Sequence, residues 1–244
     1  MREYGQYCPV ALGSEVLAER WTPLILREMV LGSTRFNEIE RGLPSISRSL
    51  LAKRLRYLAR RGVVEVVPSL DGRGHEYLLT PAGKDLEPVI MALGEWTVRW
   101  LFSEPVPEEV DPVALTWWMH RRVAIERTPP ERVVIQFDYR DPELTRLWLV
   151  LDRGEPSVCN TYPGFEPDLV ITTDTLSFMR VFSGLDDLAG AVEAGKVRID
   201  GPPRLAREFP RWFLWSPFLL AVRARVGTAP AEAAAPPANV TQPR

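Results

Sequence analysis

The strongest constraint on this chain is a stretch without acids. No Asp or Glu occurs between Glu40 and Glu65, while Arg41, Arg48, Lys53, Arg54, Arg56, Arg60 and Arg61 all fall there. Gly42 and Pro44 break the backbone at the start of the stretch, and a helical apolar period follows them. At about 100° per residue, Leu51, Ala52, Leu55, Leu58 and Ala59 gather on one stripe. That stripe faces a core. Ser49, Lys53, Arg56 and Arg60 share another side, with Arg54 and Arg61 further round. Two helices joined by a tight Gly/Pro turn form a helix-turn-helix. A second helix that is apolar behind and basic in front suits the DNA major groove. Ser47, Arg48 and Ser49 at its start are placed to reach base edges, and the later cations to touch phosphates.

The flanking elements fit that layout. Pro9 opens a helix carrying Val10, Leu12, Val16 and Leu17. Trp21 to Val30 is a second helix, closed by Gly32. Ser33 or Thr34 caps a short helix with Phe36, Ile39 and Leu43, and Ser45 or Ser47 caps the basic helix from Arg48 to Arg61. Val63–Val67 and His75–Leu79 read as paired strands around the turn Asp71-Gly72-Arg73-Gly74. A hairpin directly after a recognition helix is a wing, with Arg73 at its tip. Thr80-Pro81 caps one long helix through Leu86, Val89, Ile90, Leu93, Trp96 and Trp100. Its apolar surface exceeds what a small winged-helix core needs, so a dimer contact is expected there, together with the first helix. A basic helix face alone is usually a solvated face, and many winged helices bind proteins. It is the order of helices, turn, basic helix and Arg-tipped hairpin that favours DNA.

Composition limits the alternatives. The 244 residues suit one large domain or two ordinary ones. A formal charge of −2 means that a nucleic-acid site must be a local basic patch. No apolar run approaches the ~20 residues of a membrane-spanning helix, and the N-terminus lacks a signal-peptide core. A cytoplasmic location is expected. Two cysteines, Cys8 and Cys159, and two histidines offer neither a disulfide framework nor a zinc set. No cofactor is expected. Nor is an enzyme, because no Ser/His/Asp order, phosphate-binding Gly loop or metal set is present. The expected domains are 1–103, the winged helix; 104–226, a second domain entered through the Pro- and Glu-rich linker at 104–109; and 227–244, an Ala/Pro-rich disordered tail.

In the second domain, Val133–Tyr139, Leu147–Leu151, Ser157–Asn160, Leu169–Thr173 and Val197–Gly201 read as strands. A helix capped by Asp174 or Thr175 ends at Gly184, and another opens at Asp186 or Asp187 and ends at Gly195. A last amphipathic helix carries Leu205, Phe209, Phe213 and Leu214. The fold class is α+β. Large aromatics are abundant, and ligand sites are lined mostly by such side chains. Most of them belong to a core, and Trp118, Phe137, Trp148, Phe178, Phe182 and Phe213 are the candidate ligand contacts. Trp117 and Trp118 are adjacent, so on a helix they cannot face one pocket together.

Two resemblances sharpen these expectations. Cys8-Pro9-Val10, Arg20-Trp21-Thr22-Pro23-Leu24-Ile25-Leu26, Arg35-Phe36-Asn37-Glu38-Ile39, Leu43-Pro44-Ser45-Ile46-Ser47, Leu55-Arg56-Tyr57-Leu58, Gly62-Val63-Val64 and Glu76-Tyr77-Leu78-Leu79-Thr80 resemble the HxlR-type bacterial regulators. The resemblance implies a homodimeric winged-helix repressor or activator on a palindromic duplex. It assigns DNA contact to Ser47, Arg48, Ser49, Lys53 and the wing residue Arg73. Arg35, Ser45 and Arg56 complete the expected DNA-binding set. The wing departs from the family pattern, with Asp71-Gly72-Arg73-Gly74-His75 in place of a Pro-rich stretch. Several members of that family sense electrophiles or oxidants through an N-terminal cysteine, whose position Cys8 matches. A thiol beside a helix N-terminus favours the reactive thiolate, whereas a cysteine buried at a dimer seam is inert.

Asp168-Leu169-Val170-Ile171-Thr172-Thr173-Asp174, followed by Gly184, Ala189, Ala191, Gly195-Lys196-Val197 and Gly201, resembles the sterol carrier protein type 2 family. This implies a sheet with helices on one side, enclosing a cavity for a fatty or sterol-like ligand. The expected function is a regulator switched by a hydrophobic small molecule in the second domain. The alternatives are a redox switch at Cys8, or a lipid carrier or enzyme with a vestigial DNA domain.

Overall fold

The computed structural model describes residues 4–69, 72, 74–141 and 143–227. Arg73 and Asp71 of the expected wing tip and the expected tail from 228 onward lie outside the described residues. The chain is α+β, with one hydrophobic core in its N-terminal half and another behind a five-stranded sheet.

Helix α1 (Pro9–Leu17) starts on Pro9. Its missing N–H costs nothing in a first turn. Helix α2 (Thr22–Val30) follows Trp21, which takes a left-handed conformation at φ 77°. Helix α3 (Phe36–Arg41) is entered through Arg35, not Ser33 or Thr34. Arginine has no acceptor to offer a helix start. The carboxylate of Glu38 does the capping instead, accepting the backbone N–H of both Thr34 (2.9 Å) and Arg35 (3.2 Å). Helix α4 (Arg48–Arg60) is capped by Ser47, whose Oγ accepts the Leu50 N–H. Leu51, Leu55 and Leu58 of α4 meet Ile25, Leu26 and Ile39 in a core from which water is excluded.

Strands β1 (Val64–Pro68) and β2 (His75–Leu79) pair antiparallel, Val64 opposite Leu79. A bridge between Arg35 and Glu76, with the Tyr77 N–H donated to the Thr34 carbonyl (2.7 Å), ties this hairpin to the entry of α3. The single helix expected from Thr80 to Trp100 is two: α5 (Pro81–Lys84) and α6 (Glu87–Trp100). Pro88 explains the break. It has no N–H for the Lys84 carbonyl, and its ring excludes a continuous helix across that turn.

A 3-10 turn, Pro107–Glu109, leads to helix α7 (Pro112–Arg121), capped by Asp111. Local periodicity hides α7, because Ala114, Leu115, Thr116, Trp117, Met119 and His120 are all buried. One side packs on the sheet and the other on the N-terminal half, so no polar face marks its period.

The sheet contains β3 (Val133–Tyr139), β4 (Thr145–Asp152), β5 (Glu155–Cys159), β6 (Leu169–Thr173) and β7 (Val197–Asp200), in the order β5-β4-β3-β6-β7. Only the central pair β3–β6 is parallel. Helices α8 (Thr175–Ser183) and α9 (Leu188–Glu193) connect β6 to β7, capped by Asp174 and Asp187. Phe137 is fully buried among Tyr139, Phe178 and Phe209, with ring centroids at 5.9, 5.6 and 6.5 Å. Burying one such ring contributes roughly 1.5–3 kcal/mol.

The final amphipathic helix is shorter than expected. Helix α10 (Pro203–Glu208) gives way to a 3-10 turn at Phe209–Trp212, and Phe213 is extended and bridged to Val123. Pro210 again removes the N–H that continuation requires. Helix α11 (Leu219–Gly227), which the sequence pattern does not announce, packs against α6 and α8.

Candidate nucleic-acid interface and domain junction

The outer side of α4 carries Ser47, Ser49, Lys53, Arg56 and Arg60, all exposed. Ser47 and Ser49 lie with their hydroxyls 3.2 Å apart at the helix N-terminus, where partial positive charge favours phosphate. Lys53 and Arg56 form no ion pair among the described residues. Arg48 does. Its guanidinium binds Glu40 and donates to Asn37 Oδ1 (3.0 Å) while lying over the Phe36 ring. The side chain expected to read a base is thus folded back on α3. Arg35 donates to Ser69 Oγ (3.0 Å) and pairs with Glu76, which places it at the base of the wing. Ser45 is the left-handed turn residue between α3 and α4, at φ 73°. Two cations of the acid-free stretch are structural: Arg54 pairs with Glu19, and Arg61 with Glu15 of α1.

Behind this face lies a junction that the sequence reading misses. Glu28 of α2 is fully buried. Its Oε1 accepts from Arg27 Nη2 (2.7 Å) and from Trp118 Nε1 of α7 (3.2 Å). Burial raises the Glu28 carboxyl above its usual range, against the opposing pull of Arg27, the Trp118 hydrogen bond and Arg121. From the same helix α7, Arg121 donates to the Gly32 carbonyl (2.8 Å) and to Glu38 Oε2 (2.9 Å), the carboxylate that caps α3. Trp117, the neighbour of Trp118, lies under both Arg41 and Arg121. Burial holds the His120 imidazole down to about 4; its Nε2 bonds to the Pro156 carbonyl at 2.9 Å. The local sequence does hold one signal for the junction. Two adjacent tryptophans on a helix need two different partners.

Gly42 closes α3 against this junction. A Cβ built there falls 1.9 Å from Glu28 Oε2. Gly42→Ala is therefore expected to cost ~1–3 kcal/mol by overpacking, since the buried carboxylate has nowhere to retreat. A melting temperature within a degree of wild type overturns that expectation.

The six aromatics singled out for a ligand do not form one site. Phe137, Phe178 and Phe213 are core rings, and Trp148 lies on the opposite sheet face, donating to Gln136 Oε1. Trp118 and Phe182 instead line a cavity of about 190 Å³ between the two halves of the chain. Cys8, at the N-cap position of α1, is free and partly exposed, and Cys159 is likewise free in the second half. Among the described residues no group of three or more His, Cys, Asp or Glu side chains is placed to hold a metal, and no helix is long and apolar enough to cross a membrane.

Comparison with known proteins matches the two halves of the chain separately, and α7 falls between the two matches. The HxlR-like helix-turn-helix family matches residues 16–105, and the SCP-2 sterol transfer family matches residues 127–213. A Bacillus subtilis protein named as an uncharacterized HTH-type transcriptional regulator, YvaP, is 39% identical over 36% of this chain and 82% of its own length. A Mycobacterium tuberculosis HTH-type transcriptional regulator is 45% identical, with 38% of this chain and 58% of its own length matched. A solved structure of the redox regulator HypR in its reduced form is 35% identical over 37% of this chain and 90% of its own, with a TM-score of 0.34. By sequence the chain belongs to the HxlR-like helix-turn-helix family, and an SCP-2 sterol transfer family domain follows its winged helix.

Proposed function

We propose that this protein is a homodimeric transcriptional regulator that binds a palindromic duplex through α4 and its wing and answers to a hydrophobic small molecule held by its second domain. The observation that carries this reading is the grip of α7 on the reader. One helix of the second domain bonds both Glu28, buried behind the helix-turn-helix, and Glu38, the cap of its first helix. A change at α7 therefore reaches α3 directly, and α3 in turn holds Arg48.

The dimer is supported by what α6 and α1 leave uncovered. Val89, Leu93, Trp96 and Trp100 of α6 are all exposed, as are Val10 and Leu12 of α1. Apolar patches of that kind mark interaction surfaces. Cys8 stands at the N-cap position of α1 beside the same surface, and among the described residues no side chain bonded to its thiol supports the redox reading.

The test uses a duplex selected from a random library on the full-length protein. Affinity is then measured with and without a mixed pool of C8 to C18 fatty acids. A coupling of about 1–3 kcal/mol gives a 5- to 150-fold shift. If no duplex is retained, the DNA reading falls; if one is retained with the same affinity under both conditions, the coupling falls.

A further inference from the structure

Resting on the reading that the second domain holds a hydrophobic ligand, we infer that the ligand site is the cavity between the two domains, and that it takes a medium-chain carboxylate whose head pairs with Arg122.

Beneath the sheet the described aromatic rings pack on one another. Phe178 meets Phe137, Phe137 meets Phe209 and Phe209 meets Phe213, and none of the four is more than 3% exposed. The junction cavity is different. Ile90 and Met91 of α6 close it from one domain, and Met179, Phe182 and Phe218 from the other. Two methionines, Met91 and Met179, make part of that wall adaptable. The cavity has a volume of about 190 Å³. That suits a short or medium aliphatic chain.

The charge on the wall selects the head group. Two arginines line the cavity, Arg27 and Arg122. Arg27 is already matched by the buried Glu28. Arg122 meets only main-chain carbonyls, of Trp215 (2.7 Å, from Nε) and Leu214 (3.4 Å, from Nη2). No carboxylate faces it among the described residues, and burial alone lowers its pKa. Guanidinium carries five donors in a fork, so donors remain for a carboxylate in the two-pronged geometry that arginine favours. Ser183 and Ser216 are the other polar side chains on the wall; Ser183 donates to the Arg180 carbonyl and Ser216 accepts the Phe218 N–H.

Position gives the site its consequence. Phe218 rests on Gly94 of α6, so closely that a Cβ at Gly94 falls 2.2 Å from the ring. An occupant that displaces Phe218 therefore displaces the wall formed by α6, the helix with the uncovered apolar face. Trp118, another wall residue, is the hydrogen-bond partner of Glu28.

Isothermal titration calorimetry on the full chain, with octanoate and 1-octanol as probes, tests this. Octanoate is expected to bind one per chain, at least ten-fold more tightly than 1-octanol. Arg122→Met should erase that preference, and Arg122→Lys should restore part of it. Arg122 also anchors the segment at Leu214 and Trp215, so Met91→Trp, at a half-buried position, serves as a second variant. It fills the cavity and should lower octanoate affinity at least ten-fold while the melting temperature holds. Equal affinity for acid and alcohol overturns the inference, as does no binding of either, or wild-type octanoate binding by Met91→Trp. Octanoate binding at this site without any shift in duplex affinity leaves the inference standing and removes only the coupling proposed above.

Discussion

Between pH 7 and pH 4 the folded chain is expected to lose about 3 kcal/mol of stability through His120 alone. The imidazole is packed 4.8 Å from the Trp117 ring, its Nε2 bonded to the Pro156 carbonyl and its Nδ1 without a partner. Burial is the main cause of its low pKa of about 4, with Arg121 and Arg41 adding to it and the Pro156 carbonyl and Glu38 opposing. The unfolded chain takes up this proton near pH 6.5, and the folded chain only near pH 4. In that window the unfolded state binds more protons, so stability rises with pH there and is lost as pH falls. The contribution is complete above pH 6.5 and gone well below pH 4. Glu28 acts with the opposite sign: its raised pKa means stability declines as pH rises from the ordinary carboxylate range. The two are separated by denaturant titrations of wild type and His120→Phe across this range. The difference between the two proteins should change by about 3 kcal/mol. A difference that stays flat across the window refutes the assignment.

His120 also shows where reading the sequence stops. The N-terminal half was legible because its signals are local. An acid-free helix with a 3.6-residue apolar stripe, a Gly/Pro turn and a hairpin can each be read within a few turns of chain, and α4 begins and is capped where Ser47 and Arg48 suggest. Strands β3, β4 and β6 were legible for the same reason, through their alternation and capped neighbours. The failures are of two kinds. Pro88 and Pro210 cut periodic segments that the apolar pattern alone runs through. Helix α7 is apolar or buried on most sides, so its sequence carries no period. The junction rests on contacts such as Glu28 with Trp118, 90 residues apart. No periodicity encodes a pairing at that distance. The ligand candidates split for a related reason: aromatic content shows that rings are buried, not whether they bury one another or face a cavity.

Replacing Lys53 and Arg56 together by alanine is expected to weaken duplex binding by about two phosphate contacts per protomer. Each phosphate neutralised contributes a slope of about 0.9 in log affinity against log salt. Both side chains are exposed on the outer side of α4, away from Leu51, Leu55 and Leu58, so the fold should not change. In a two-fold dimer four contacts vanish, the salt slope falls by about 4, and affinity near physiological salt drops roughly a thousand-fold. In a monomer two contacts vanish, and the drop is roughly thirty-fold with a slope change of about 2. The same titration therefore measures the stoichiometry of the reader. Arg48→Ala should behave differently. Its guanidinium is held by Glu40 and Asn37, and reaching a base edge first breaks those bonds. If Arg48 reads a base, its loss relaxes sequence preference, with a cost of about 1–3 kcal/mol at one position of the duplex. Glu40→Gln should then tighten binding by freeing Arg48. If the double variant binds with an unaltered salt slope, α4 is not the surface that meets phosphate.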